Sequence, residues 1–89
     1  MASQLIERAL AEWRDGERLL RDLPPINPEH ETVRLEVIRL RDTYRRLSEL
    51  SPDSSDQIAE CRRDIDLAHE TIVGVRARLN GSLNGHDRG

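Results

Sequence analysis

Three stretches of the chain repeat apolar residues at alternating spacings of four and three. The first holds Ala2, Ile6, Ala9, Trp13, Gly16, Leu20 and Leu23. The second holds Val33, Val37, Leu40, Tyr44 and Leu47, and the third Ile58, Cys61, Ile65, Ala68, Ile72, Val75 and Leu79. This spacing returns side chains to one face of an α-helix; a strand would alternate at period two, and none of the three does. A repeat of about 3.5 residues points to shallow, left-handed packing of helix on helix.

Two breaks separate the stretches. In LPPINPEHE, Pro24 and Pro25 cannot continue a helical ladder. Asn27 is then a good N-cap, Pro28 suits the first helical position, and Glu29 and Glu31 lie near the positive helix end. In SPDSSDQI, either Ser51 caps Pro52 or Ser54 and Gln57 form a capping box. Asn80–Gly81 resembles a left-handed C-terminal cap, so the spacing predicts helices over roughly 3–23, 28–50 and 54–80 and a flexible tail over 81–89. Connections this short make neighbouring helices antiparallel. The expected fold is all-α: one up-down-up three-helix bundle over 1–80 with coiled-coil-like heptad packing. Its expected core is Ile6, Trp13, Leu20, Val37, Leu40, Tyr44, Leu47, Ile58, Ile65, Ile72 and Leu79.

Several apolar residues fall outside those stripes. On a helical wheel Leu35 and Ile38 lie about 200° and 140° from Val33, and Leu67 and Val73 are likewise displaced in the third helix. Leu5, Leu10 and Leu19 widen the apolar face of the first. Scattered exposed leucines are ordinary, but a second contact surface explains these residues as well. Leu5, Leu19, Leu35 and Ile38 are its candidates, with core membership as the alternative for Leu5 and Leu19, and with a second copy of the chain or another protein as partner.

Composition narrows the field. Eighty-nine residues allow one domain, and a net charge of −3 gives no global attraction to nucleic acid or anionic lipid. All fourteen cations are arginine, a pattern read as coding bias before selection for anion contacts. One cysteine cannot form an internal disulfide, which suits a reducing cytoplasm. MASQLIERALAEW has acids in its first turns and no basic start followed by an apolar run, so no signal peptide is expected, and no stretch is apolar enough for a membrane span.

The most basic stretch is RLRDTYRRL at 39–47. Arg34, Arg41 and Arg45 form one stripe about 80–120° from Val33, while Arg39 and Arg46 fall on the opposite flank. Tyr44 lies inside the core stripe and is not free to stack on a base. An anion or nucleic-acid site on Arg34, Arg41 and Arg45 is the alternative reading. It is disfavoured because the basic residues are split between flanks and interleaved with acids. Glu12 and Glu17 are expected to pair with Arg34 or Arg41, and Asp42 with Arg46.

Metal and catalytic chemistry find little to build on. Asp66 and His69 are three apart, but bundle metal sites need inward Glu ligands from facing helices, and the predicted core positions are apolar. Cys61 reads as a small core residue, with His69 two turns away; His30 and His86 sit in the first turn of the second helix and in the tail. No phosphate loop, nucleophile elbow or HExxH is present. A chorismate-mutase-type helical enzyme needs a longer first helix than Pro24–Pro25 permit. No catalytic residue, cofactor, metal or small-molecule substrate is therefore expected. The remaining expectation is a non-enzymatic, cytoplasmic helical module acting on a protein partner or on itself. Gly16, on the core stripe at a cost of about 1 kcal/mol against Ala, is expected to admit a large neighbour such as Tyr44 or a second Trp13.

Overall fold

The structure, a computed structural model, describes the backbone of residues 2–87 and the side-chain environments of residues 4–81. The chain forms three helices and, among the described residues, no strand: α1 (Ala2–Asp22), α2 (Pro28–Glu49) and α3 (Ser55–Asp87). They pack around one core, and the described part measures 56 × 20 × 16 Å.

The ends follow local chemistry. Asn27 has extended backbone angles, and its side chain accepts a hydrogen bond from the Glu29 N–H at 2.9 Å, with Pro28 in the first turn behind it. At the second break the Ser51 hydroxyl accepts from the Asp53 N–H at 3.3 Å. The carbonyl of Ser54 accepts the first helical bond from Ile58 at 2.9 Å. The stop expected at Asn80–Gly81 is absent, and α3 continues to Asp87. No glycine among the described residues has positive φ, so Gly81 never adopts the left-handed conformation that closes a helix. An Asn-Gly pair permits a stop without enforcing one. The expected placement of His86 in a tail, and of Ala2 on the α1 stripe, falls outside the described side chains.

Ion pairs cross between the helices. Glu29 meets Arg78 at 2.5 Å and Arg46 meets Glu60 at 3.4 Å between α2 and α3. Arg8 meets Asp66 and Glu12 meets His69, both at 2.6 Å, between α1 and α3.

The core lies close to the expected stripes but is rotated within α1 and α2. Its buried apolar members are Leu5, Ala9, Leu19, Leu23, Val33, Leu40, Leu47, Cys61, Ile65, Ala68, Ile72 and Val75. Ile6, Trp13, Leu20, Val37, Tyr44, Ile58 and Leu79, all assigned to the centre from sequence, are only partly buried and pack against its edge. The innermost line of α1 runs instead through Leu5, Glu12 and Leu19, and that of α2 includes Glu36 and Thr43. The expectation that neither helix turns a glutamate inward is thus overturned twice. A wide apolar face lets a helix roll, and bulky Trp13 is accommodated at the rim where its larger ring has room.

Gly16 does permit a close approach, though not to the expected aromatic. A Cβ built there would stand 2.8 Å from Val37 Cγ2 and 3.4 Å from Ile72 Cδ1. Helix α1 therefore meets both of its neighbours at Gly16.

Candidate interaction surface

The four proposed contact residues separate. Leu5 and Leu19 belong to the core, the latter with no exposed surface at all. Leu35 is 53% exposed, and Ile38 on the next turn is half-buried. The rolled orientation of α1 explains this, since it carries Leu5 and Leu19 inward and leaves Ile6, Leu10, Trp13 and Leu20 only partly buried. Leu67 and Val73 of α3 are also about half exposed, on different faces from each other. Ile26, in the first connection, is 91% exposed.

The arginines are mostly engaged. Arg34 makes a two-pronged bond to Glu31, at 2.8 Å through Nε and 2.5 Å through Nη2. That bond holds the Glu31 carboxyl below its ordinary value, and Glu31 in turn raises Arg34. Arg41 approaches Asp42 at 3.6 Å, while its Nε is buried and meets no acceptor. Arg46 turns to Glu60 instead of Asp42, and Glu12 bonds His69 instead of an arginine of α2. Glu31, one turn back, and the neighbouring Asp42 take the two cations that were expected to bridge α1 and α2.

Two buried carboxylates escaped the apolar pattern. Glu12 places both oxygens on His69 Nδ1, at 3.0 and 2.6 Å, joining α1 to α3. Glu36 has only Arg39, one turn on, at 3.4 Å. A signal existed for Glu12, which sits seven residues from both Leu5 and Leu19; Glu36 has only Thr43 at that spacing among the buried residues. Among the described residues, no group of three or more His, Cys, Asp or Glu side chains is gathered as metal ligands. The Cys61 thiol is buried, and burial raises its pKa, disfavouring the thiolate.

A groove of about 680 Å³, open to solvent, lies at the start of α3, between Pro52 and Asp66, with Arg62 and Arg63 on its walls. Its apolar floor is only Ile58, Ala59 and Pro52. No helix among the described residues is long and apolar enough to cross a membrane.

A different feature emerges when the three seams are compared. The α1·α3 seam is bridged by Arg8–Asp66 and Glu12–His69, and the α2·α3 seam by Arg46–Glu60 and Glu29–Arg78. Among the described residues no ion pair bridges α1 and α2. That seam carries instead the aromatic pair Trp13–Tyr44, with ring centroids 5.8 Å apart and planes tilted by 53°. Comparison with protein-family models, with curated proteins and with solved structures gave no match. The seam geometry is therefore what functional argument can start from.

Proposed function

We propose that this chain is a small, non-enzymatic helical interaction module that associates with a protein partner or with itself. In this reading it is one antiparallel up-down-up bundle acting in the cytoplasm, its helices nested in coiled-coil fashion. The order of the cross-helix pairs supports that topology. One observation carries the functional reading: apolar surface remains once the core is filled. Leu35, Leu67 and Val73 stay about half exposed, and Trp13 and Tyr44 stand only partly covered at a seam. Association would bury such surface at roughly 25 cal/mol per Å² before its entropic costs. Mixed arginine and carboxylate flanks would select register and partner.

Light scattering across protein concentration tests self-association, with Ile38→Glu as the matched control. A mass that rises with concentration and falls back in the variant supports a homomeric module; a strict monomer leaves only a hetero-partner. The competing class, anion or nucleic-acid binding through Arg34, Arg41 and Arg45, is weakened because Arg34 and Arg41 already face Glu31 and Asp42. Absent binding to nucleic acid at low salt would remove it, because phosphate contacts are strongest there.

A further inference from the structure

We infer that Ser48 is a phosphorylation site for an arginine-directed serine kinase, and that a phosphate there loosens the last turn of α2. This goes beyond the interaction reading above and does not depend on it.

The basic run of α2 leads straight into a hydroxyl. Arg45 and Arg46 stand three and two residues before Ser48, and no other Ser or Thr of the chain has arginine at both positions. Two guanidinium forks at a fixed distance before the acceptor are what a kinase cleft lined with carboxylates can read. Both are on offer. Arg45 is exposed and has no ion pair among the described residues, and Arg46 is held only by Glu60, at 3.4 Å between half-exposed side chains.

The acceptor lies where the helix gives way. Ser48 is exposed, and its hydroxyl donates to the Tyr44 carbonyl at 2.9 Å. One residue later α2 ends at Glu49, and Leu50 already has extended backbone angles, its N–H closing the last turn on the Arg46 carbonyl at 3.0 Å. End turns open locally without unfolding of the whole chain. Opening this one withdraws Leu47, which is 2% exposed, from the core, so phosphorylation is slow and its rate follows the open fraction.

In the transfer, the Ser48 oxygen bonds to the γ-phosphorus of ATP and the bond from that phosphorus to the departing ADP oxygen breaks. The hydroxyl proton passes to the catalytic carboxylate of the kinase. The product carries about two negative charges at the negative end of a helix, beside Glu49. It has also lost the hydroxyl proton that bonded Tyr44. Arg45, one turn back, offers the phosphate a single exposed pair, which is the weakest of these three effects. The turn therefore loosens.

The test incubates the folded full chain with ATP and the catalytic subunit of the cyclic-AMP-dependent protein kinase, with a peptide spanning residues 42–53 as reference. Intact-mass and fragment spectra are expected to show one phosphate, on Ser48, and none in Ser48→Ala. Arg45→Ala with Arg46→Ala, helicity checked by circular dichroism, should slow incorporation about tenfold. The phosphorylated chain should melt about 4–8 °C below the parent. Phosphate on the peptide but not on the folded chain would overturn the proposal, because α2 would then keep its end closed. Phosphate on another residue, an unchanged rate in the double variant, or no phosphate on either substrate would overturn it equally. A phosphorylated chain that melts with the parent would overturn the loosening of α2.

Discussion

Along one side of α1, Trp13 lies against Tyr44 and Gly16 draws Val37 up to the backbone. Along the other, α1 meets α3 through Arg8–Asp66 and Glu12–His69. One helix thus relies on apolar fit alone toward α2, among the described residues, and adds two polar pairs to it toward α3. The two solutions differ physically. Apolar fit is sensitive to shape, because dispersion falls off within a fraction of an ångström and interiors repack poorly. Exposed pairs tolerate displacement and weaken in salt. At the seam built on shape, Ile6, Trp13, Leu20 and Tyr44 are only partly buried.

Mutations can separate the two. The largest effect should come from Leu40→Ala, at the buried middle of α2. A loss of about 2–5 kcal/mol in denaturant unfolding is expected for a fully buried leucine, and a smaller loss would mean that the helices collapse inward easily. Next is Gly16→Leu. The added side chain has no room beside Val37 Cγ2, and overpacking should cost about 1–3 kcal/mol despite the better helix propensity of leucine. Val37→Ala in the same chain should recover part of that loss. Unchanged melting of Gly16→Leu would show that the α1·α2 seam is loosely fitted.

The polar seam should answer differently. His69→Ala leaves the buried carboxylate of Glu12 without its partner and should cost about 1 kcal/mol. Glu12→Leu in that background should restore stability, since an apolar residue of similar size suits a buried position better than an unpaired charge. Failure to recover would place Glu12 in water and make its burial unimportant. Arg8→Ala removes a pair whose side chains are about half exposed. A loss of less than about 1 kcal/mol, vanishing at high salt, is expected.

How much of this was legible follows from what each helix offered. Helix type and number were readable because all three stretches hold the 3.5 repeat without interruption. The start of α2 was readable to the residue, since Asn27, Pro28 and Glu29 each carry separate capping chemistry. The roll of α1 was not. Hydrophobicity ranks Trp13 above Glu12, so the stripe was drawn through Ile6, Trp13 and Leu20. Geometry centres the inward face one residue earlier, on Leu5, Glu12 and Leu19. His69, whose imidazole meets Glu12, comes fifty-seven residues later, and no local pattern announces such a partner. The end of α3 was misplaced for another reason: Asn80–Gly81 allows a left-handed residue, but nothing in the sequence says that the chain takes that option. Of the candidate surface, the arginine stripe was legible from spacing alone, whereas its relation to Trp13 required knowing which flank of α1 meets α2.

The smallest expected effect on stability lies at the Glu31–Arg34 pair on the surface of α2. Glu31 has its pKa lowered from an ordinary value of 4.5, chiefly by the hydrogen bond from Arg34. A lowered folded-state value means that the unfolded chain binds more protons as pH falls. Any stabilisation is therefore complete above the ordinary value and disappears on acidification through the lowered one. Because the pair is fully exposed, that contribution is small, and Glu31→Gln should melt with the parent at neutral pH in moderate salt. A Glu31→Gln melt that fell clearly below the parent at neutral pH would show that this surface pair holds the start of α2 in place.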